Sequence, residues 1–203
     1  MANAPDTNGG HEERTGRQRL LEAAIEVVAR SGYEALSYRS VAKQAGVTHG
    51  LVHYHFGQRE ALLAEARAYA AAKSVASQIF EDEDVLIDEF ALGLSRVVAA
   101  EPDLAAFQIA LDLHGRLDPE LRSDSKRHWE RYLAATEAAL ERVGIAADPA
   151  ITHMVLATLT GLVLIQLSFS SPAETDRAVR ALQGTLTLLR EQAGDPVVSR
   201  ERS

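Results

Sequence analysis

An all-α fold is predicted by three features of this 203-residue sequence. Alanine and leucine, which favour helices, are abundant, whereas the chain holds only five Phe, five Tyr and one Trp. Apolar residues recur three or four positions apart along most of the chain, as they do on one face of a helix. The breaks between these segments fall at glycines or at prolines, such as Pro102 and Pro119, that a first helical turn tolerates.

Composition restricts the class of protein. The chain has no cysteine, which excludes disulfides and thiolate zinc sites. The polar N-terminus lacks the apolar segment of a secretory signal. The most hydrophobic stretch, 154–169, carries Thr158, Thr160 and Gln166 and is interpreted as falling short of a membrane span. These features predict a soluble cytoplasmic protein with no membrane partner.

Charge is divided unevenly along the chain. The net charge is −8, but residues 14–59 hold seven basic and three acidic side chains, a net +4. Residues 61–203 hold 14 basic and 22 acidic side chains, a net −8. A basic quarter on an acidic body indicates that only the first part of the chain meets a phosphate backbone.

The first helix is predicted from its two ends. Residues 1–13 are rich in Gly, Asn and Asp and are expected to be disordered. Thr15 and Gln18 have the spacing of a capping box, which predicts the start of a helix there. Gly32, directly after Ser31, is expected to end that helix in the left-handed conformation.

The layout of residues 37–57 is that of a helix-turn-helix. Ser37 is predicted to cap a short helix that ends at Gly46, and Thr48 to cap another that ends near Gly57. The apolar residues of this helix-turn-helix would pack it against the first helix: Leu36, Val41, Ala42, Val47, Val52 and Phe56. Its polar positions are then left outside: Tyr38, Arg39, Thr48, His49, His53 and Tyr54.

Three histidines within seven positions, His49, His53 and His55, allow two interpretations. His49 and His53 are four residues apart, so they could share a metal ion, but no Cys, Asp or Glu in the segment completes a tetrahedral set. Exposed Thr, His and Tyr side chains on a two-turn helix could instead donate to phosphates and base edges, and Gly50 allows a close approach. We favour DNA contact and no metal, and we expect His55 to pack inward or to cap the helix instead of contacting DNA.

Residues 17–63 resemble the TetR family of transcriptional regulators. The resemblance rests on "SGYEALSYRSVAKQAGV", on "THGLVHYHF" as the recognition segment, and on "GQREALL" at the start of the fourth helix. Gln58 departs from the family, which usually has a basic residue, Ser or Thr there, and it is a poorer helix cap than Ser or Thr. The rest of the chain matches the family only in being all-helical and of suitable length.

The resemblance implies a homodimer with about nine helices per chain, which binds double-stranded DNA at a palindromic operator and needs no cofactor. Its segments would be a disordered tail over 1–13, a helix-turn-helix DNA-binding domain over 14–60, a ligand-binding and dimerisation domain over 61–195, and a flexible tail over 196–203. The implied function is a ligand-responsive regulator that is not an enzyme. We favour a repressor that a small apolar or aromatic effector releases from DNA.

Position in the family's motif also implies which residues contact DNA. The recognition-helix contacts would be Thr48, His49, Gly50, His53 and Tyr54. The phosphate clamps would be Arg17, Tyr38, Arg39 and Arg59.

The helices after the helix-turn-helix contain candidate residues for an effector pocket and for a dimer interface. Large side chains that could line an effector pocket are Phe80, Phe90, Leu94, Phe107, Leu111, His114, Trp129, Tyr132, Met154 and Phe169. His114 and His153 are candidate polar anchors, although a satisfied buried histidine is the more ordinary explanation for each. The last two helices have more apolar surface than a monomer needs, which predicts a two-fold interface. Its residues would be Thr158, Gly161, Leu162, Ile165, Leu182, Thr185, Leu186 and Leu189.

Two rival functions stay open at the level of sequence. An all-helical enzyme or metal-binding bundle would need a cluster such as Glu-x-x-His on facing helices, and the sequence contains no such motif, no phosphate loop and no nucleophile motif. A constitutive DNA-binding protein that takes no ligand would share every N-terminal feature. Only the release of DNA on ligand binding would distinguish a ligand-responsive regulator from such a constitutive protein.

Overall fold

The computed structural model of the chain describes residues 9–73, 86–146, 148–169 and 171–194, which form nine α-helices, one short 3₁₀ helix and no strand. The predicted all-α fold is therefore confirmed. The predicted tails lie outside these ranges, apart from residues 9–13. The helices are α1 (Gly9–Ser31), α2 (Tyr38–Ala45), α3 (His49–Phe56), α4 (Arg59–Ala72), α5 (Leu94–Ala100), α6 (Pro102–His114), α7 (Pro119–Arg142), α8 (Pro149–Phe169) and α9 (Pro172–Gly194), and the 3₁₀ helix covers Tyr33–Ala35.

The first helix differs from its predicted extent at one end only. α1 begins at Gly9, so Thr15 lies inside the helix, and residues 9–13 are helical where disorder is predicted. The helix ends at Ser31 because Gly32 has a φ of 82°, a value that residues with a side chain rarely adopt. The capping-box prediction is wrong, and the glycine stop is confirmed.

The second helix begins at the predicted N-cap. The Ser40 N–H donates to the Ser37 hydroxyl at 3.1 Å, and the Ser37 N–H donates to the Ser40 hydroxyl at 2.9 Å. This reciprocal capping box satisfies backbone donors that a first helical turn otherwise leaves free. Gly46 ends the helix with a φ of 69°, and the Val47 N–H then donates to the Ala42 carbonyl at 2.9 Å, which sets the tight turn into α3.

One compact unit contains α1 to α4, α6 and the first residues of α7, up to Ser125. Within it, α1 packs against α2, α4 and α6, and α2 packs against α3. Their apolar faces meet in the first core, which buries Leu20, Ala24, Val28, Leu36, Val41, Ala42, Val52, Phe56, Leu62, Phe107 and Leu111. The apolar positions predicted to hold the helix-turn-helix to α1 lie in this core, with Val47 only partly buried.

A second compact unit contains α5, the rest of α7, α8 and α9. Its core buries Phe90, Leu94, Val98, Leu140, Val155, Leu159, Val179, Leu182 and Leu186. Two buried amides are bonded to backbone in this unit. The Gln166 Nε2 donates to the Ser95 carbonyl at 2.7 Å, and the Gln183 Nε2 donates to the Phe90 carbonyl at 2.9 Å. Each bond offsets the cost of burying an amide.

Helix α8 is long and apolar enough to cross a membrane by length and composition, with a mean hydropathy of 1.8 over its most apolar 18 residues. From its sequence, this segment is interpreted as falling short of a membrane span. By length and hydropathy alone, that interpretation is wrong. A single such helix is weak evidence for a membrane, because core helices of soluble proteins pass the same test. One face of α8 is buried within the second unit, at Thr152, Val155, Leu156, Leu159 and Gln166.

Candidate nucleic-acid interface

The recognition helix α3 has one buried face and one exposed face. Val52 and Phe56, four residues apart, are buried in the first core and fix the rotation of the helix. The exposed face of α3 carries the residues predicted to contact bases: Thr48, His49, Gly50, His53 and Tyr54. Tyr54 keeps 74% of its surface exposed. The chain thus presents a two-turn helix whose polar side chains face outward.

The N-terminus of α3 is not capped by a side chain. Thr48 occupies the predicted N-cap position, but its hydroxyl makes no capping hydrogen bond. Gln58 precedes α4 in the same way without a side-chain cap, as its residue type predicts. Free N–H groups and the positive end of the helix dipole favour an anion such as phosphate at the start of α3.

Tyr38, at the start of α2, is predicted to clamp phosphate, but its hydroxyl is buried. No described residue bonds to that hydroxyl, and burial raises the pKa of Tyr38, with the Glu60 carboxylate a lesser cause. The ring packs against the first core, and its centroid lies 5.7 Å from that of the His53 ring. This placement corrects the prediction, because Tyr38 supports α3 from behind instead of presenting its hydroxyl to a ligand.

Arg59, at the start of α4, makes its hydrogen bonds inside the protein. Its guanidinium donates to the Leu36 carbonyl at 2.9 Å, to the Tyr33 hydroxyl at 3.1 Å and to the Tyr33 carbonyl at 3.3 Å. It also lies over the Tyr33 ring, 4.6 Å from the centroid. These contacts tie α4 to the segment between α1 and α2, and the phosphate clamp at Arg59 stays a prediction.

Arg17 of α1 is also bonded within the chain. Its Nη1 donates to the His55 carbonyl at 2.6 Å, its Nε donates to the Glu65 carboxylate at 3.0 Å, and the guanidinium lies over the Phe56 ring. Arg17 therefore joins α1 to the end of α3 and to α4, and its contact with phosphate stays a prediction. The sequence could not show these bonds, because the partners are 38 and 48 residues away.

Arg39 and Lys43 are the exposed basic residues of α2. They are four residues apart, so they lie on the same face of the helix. Lys43 is absent from the predicted contacts, although its spacing from Arg39 is visible in the sequence. Together they place two positive charges on one exposed face of α2.

The described part of the chain holds no ready metal site around the histidines. His49 and His53 are both exposed, but no group of three or more His, Asp or Glu within the described residues is placed to hold an ion. Two imidazoles alone leave half of a tetrahedral coordination shell empty. Both rings can therefore serve as hydrogen-bonding groups toward another molecule.

The residues predicted to line an effector pocket are divided between the two cores. Phe107 and Leu111 are fully buried in the first core, whereas Phe90 and Leu94 are buried in the second. Phe80 lies outside the described residues. Most of the candidate side chains are expected to be core, and these four lie in two separate packing clusters.

The other large candidates of the body lie on α7 and α8. Met154 and Phe169 are exposed on α8, and their assignment to a pocket lining stays a prediction. Trp129 and Tyr132 are half-buried on α7. The centroid of the Tyr132 ring lies 4.4 Å from that of the His128 ring, which is buried.

His114 and His153 both have contacts within their own unit. The His114 ring lies 4.1 Å from the Tyr33 ring, centroid to centroid, and its Nε2 lies 3.3 Å from a Glu34 carboxylate oxygen. The Nδ1 of His153 lies 2.6 Å from the Pro149 carbonyl oxygen on the exposed side of α8. His114 is half-buried and His153 is exposed, so neither is the buried, satisfied histidine that the alternative expects, although each ring has a polar contact.

Two buried polar groups of α8 lack a hydrogen-bond partner among the described residues. They are the Thr152 hydroxyl and the Oε1 of Gln166. A buried polar atom without a partner costs about 1–3 kcal/mol.

The predicted interface residues separate into a buried and an accessible group. Leu182 and Leu186 of α9 lie in the second core, and Leu186 has 0% of its surface exposed, so their assignment to an interface is wrong. They form the face that α9 packs on its own chain. Leu162 and Leu189 are partly buried against the same core. The residues left accessible are Thr158, Gly161, Ile165 and Thr185.

The exposed faces of α8 and α9 are built from apolar and small residues. On α8 they recur every three or four positions, at Met154, Ala157, Thr158, Gly161, Leu164 and Ile165, and on α9 at Ala181, Gly184, Thr185 and Leu188. A Cβ at Gly161 or Gly184 would meet no atom within 4 Å. Nothing within the chain thus requires glycine at these positions, where it costs about 1 kcal/mol relative to alanine in a helix interior.

A helix-turn-helix with an outward recognition helix defines a DNA-binding class, and sequence comparison gives the family. Residues 20–66 match the family described as bacterial regulatory proteins, tetR family, and residues 81–186 match the tetracyclin repressor-like C-terminal domain. The second match alone covers half of the chain. The chain belongs to the TetR family of bacterial transcriptional regulators, which are DNA-binding proteins and not enzymes.

Two curated relatives illustrate the range of similarity. The nicotine-responsive transcriptional repressor HdnoR of Paenarthrobacter nicotinovorans is 30% identical over 146 residues, which are 64% of this chain and 73% of that protein. An HTH-type transcriptional regulator of Mycobacterium bovis is 29% identical over 107 residues, 51% of this chain and 46% of that protein. The matched part of the chain thus spans about half the length of that relative.

Solved structures are similar over most of the chain. A transcriptional regulator from Rhodococcus sp. has a TM-score of 0.68 at 23% identity, covering 85% of this chain and 96% of that one, which shows a shared fold. The multidrug binding protein EbrR, solved in complex with imidazole, has a TM-score of 0.60 at 27% identity, covering 84% of this chain and 93% of that one.

Proposed function

We propose that the chain is a cytoplasmic, homodimeric transcriptional repressor, which binds a palindromic operator in double-stranded DNA and is released by a small apolar or aromatic effector. The observation that carries the proposal is the exposed face of α3, which presents polar side chains while Val52 and Phe56 anchor the other side in the first core. In a helix-turn-helix, such a helix enters the major groove and contacts base edges.

The exposed residues divide into two roles. Arg39 and Lys43 of α2 are assigned to the phosphate backbone, because long cationic side chains form salt-dependent contacts of that kind. His49 and His53 of α3 are assigned to base edges, where imidazole can donate or accept hydrogen bonds. Arg17, Tyr38 and Arg59 are assigned to the support of this surface.

We expect Arg39→Ala and Arg59→Ala to act on different properties. Arg39→Ala should weaken binding to all duplexes and reduce the slope of log affinity against log salt by about one for each phosphate that Arg39 neutralises. Arg59→Ala should instead lower the free energy of unfolding by about 1.5–3 kcal/mol, the range for a hydrogen bond to a charged group, because it removes three bonds to Tyr33 and Leu36.

Fluorescence anisotropy at several salt concentrations, together with urea unfolding, separates the two effects. Arg19→Ala, which removes an exposed arginine of α1, is the matched control. A salt slope that falls for Arg59→Ala, with unfolding unchanged, would restore Arg59 as a phosphate clamp.

His49→Ala and His53→Ala are expected to change base preference more than total affinity. A good side-chain-to-base contact discriminates by about 1–3 kcal/mol, so the preferred base should change or weaken at one position per half-site. Selection from random duplexes with each variant measures this directly. If both variants keep the wild-type consensus and only bind more weakly, then the histidines contact the backbone and the assignment to bases fails.

The exposed faces of α8 and α9 support a second copy of the chain as the dimer partner. They combine large apolar residues with two glycines that nothing in the chain explains, and close approach of a partner helix would explain both features. A two-fold dimer whose two α3 helices lie about 34–36 Å apart, one turn of DNA, would match a palindrome.

The position of α6 supports control by a ligand. By sequence it belongs to the proposed ligand-binding segment, 61–195, yet it packs in the first core with the DNA-binding segment, 14–60. Near its start, Asp103 pairs with Arg30 of α1 at 2.7 Å, and at its end His114 packs on Tyr33. A ligand that displaced α6 would therefore act directly on α1 and the 3₁₀ helix.

The effector class is supported by two similar proteins. The relative HdnoR is nicotine-responsive, and EbrR was solved with imidazole. Both molecules, nicotine and imidazole, are small and aromatic. We therefore assign a small apolar or aromatic effector with one or two polar atoms.

The deciding experiment is selection of random duplex DNA by the purified protein, with and without a zinc chelator. Enrichment of a palindrome that is unaffected by chelator is the expected result. A panel of small aromatic molecules is then tested for release of the selected duplex. Loss of binding with chelator would favour a metal-dependent protein, and binding that no molecule relieves would favour a constitutive DNA-binding protein.

A further inference from the structure

Leu51 is an apolar residue on the otherwise polar exposed face of α3. It lies in the first turn of the helix, where its N–H donates to the Thr48 carbonyl at 3.1 Å. Its surface is 39% exposed, and it does not belong to the first core that buries its neighbour Val52. Tyr54, three residues later and thus adjacent on the helix surface, is also exposed.

One exposed leucine on a protein surface needs no explanation by itself. The position of Leu51 in the recognition helix does indicate a function, because the N-terminal residues of such a helix reach base edges. In the major groove, the 5-methyl group of thymine is the one apolar feature that distinguishes a base, and apolar side chains contact it. The exposed polar neighbours His49 and His53 are less suited to a methyl group.

We propose that Leu51 contacts the 5-methyl group of one thymine in each half-site, and is therefore a specificity-determining residue. This inference rests on the proposed DNA binding. It adds an apolar contact to the hydrogen bonds assigned to the two histidines. The preferred half-site should thus contain a thymine whose replacement by any other base weakens binding.

Substitution of deoxyuridine for thymidine tests the contact, because it removes only the methyl group. In the selected duplex, each thymine is replaced in turn and the affinity of wild type and Leu51→Ala is measured. A buried methyl is worth about a four-fold change in affinity, or about 15-fold when both half-sites are changed. Wild type should show this decrease at one thymine per half-site, and Leu51→Ala should show none there.

Leu51→Met serves as the matched variant, because it keeps an apolar side chain of similar volume. It should retain the sensitivity to deoxyuridine, so the inference can be judged even if Leu51→Ala unfolds. Equal sensitivity in wild type and Leu51→Ala would assign the methyl contact to another residue and overturn the inference. So would a duplex in which no thymine is sensitive. A wild-type protein that selects no duplex would instead overturn the proposed function itself.

Discussion

Ile165→Glu is expected to give a folded monomer whose affinity for the palindromic duplex falls by about 10²-fold or more, the range gained when two binding sites are linked. Ile165 is 46% exposed on α8, in line with Gly161 and Thr158. In a two-fold interface each substitution places two carboxylates among apolar side chains, and an unpaired buried charge costs about 3–5 kcal/mol. In the single chain the same carboxylate stays in water, so the fold should be unaffected.

Sedimentation analysis at micromolar concentration and circular dichroism measure the two parts of this prediction. Leu117→Glu is the matched control, because Leu117 is 79% exposed in the turn between α6 and α7 and lies far in sequence from the proposed face. It should leave both dimer and operator binding intact. Dimers that survive Ile165→Glu would move the interface away from α8.

Gly161→Ala provides an independent check of the same interface. Its Cβ would meet no atom within 4 Å in the single chain, so alanine should stabilise α8 by about 1 kcal/mol. If a partner helix approaches closely there, the same methyl should weaken the dimer. A variant that is more stable and still fully dimeric would show that the glycine is not at a close helix crossing.

The interface also shows where sequence patterns stop being informative. The stripe Leu182, Leu186 and Leu189 is visible in the sequence, and the helix that carries it is predictable. A stripe shows only that a helix has an apolar face, and it does not say whether the core of the same chain or a second chain covers it. In α9 the chain's own core covers Leu186 completely.

Local and long-range features differ in the same way within the helix-turn-helix. The Ser37 cap and the Gly46 turn are predictable, because each depends on residues within five positions. The roles of Arg17 and Arg59 are not, because a basic residue near a recognition helix is equally suited to phosphate or to a buried carbonyl. Only the folded arrangement shows that Leu36 and His55 present such carbonyls to them.

Phe107→Ala is expected to lower the free energy of unfolding by about 3–5 kcal/mol, the usual cost of removing a buried phenyl ring. The sequence predicts Phe107 in an effector pocket, but it has 0% of its surface exposed and packs in the first core, which also holds Leu20 and Val28 of α1. The destabilisation should therefore fall on the unit that carries α3. DNA affinity should decrease only as far as that unit unfolds.

Leu113→Ala is the matched control, because Leu113 lies on the same helix and is 63% exposed. It should change the free energy of unfolding by less than about 0.5 kcal/mol. Urea unfolding of both variants, followed by titration of a releasing aromatic molecule against the DNA complex, distinguishes core from pocket. A Phe107→Ala protein of near wild-type stability with an altered response to that molecule would return Phe107 to the pocket. Marked destabilisation with an unchanged response would establish that α6 supports the DNA-binding helices through the core they share.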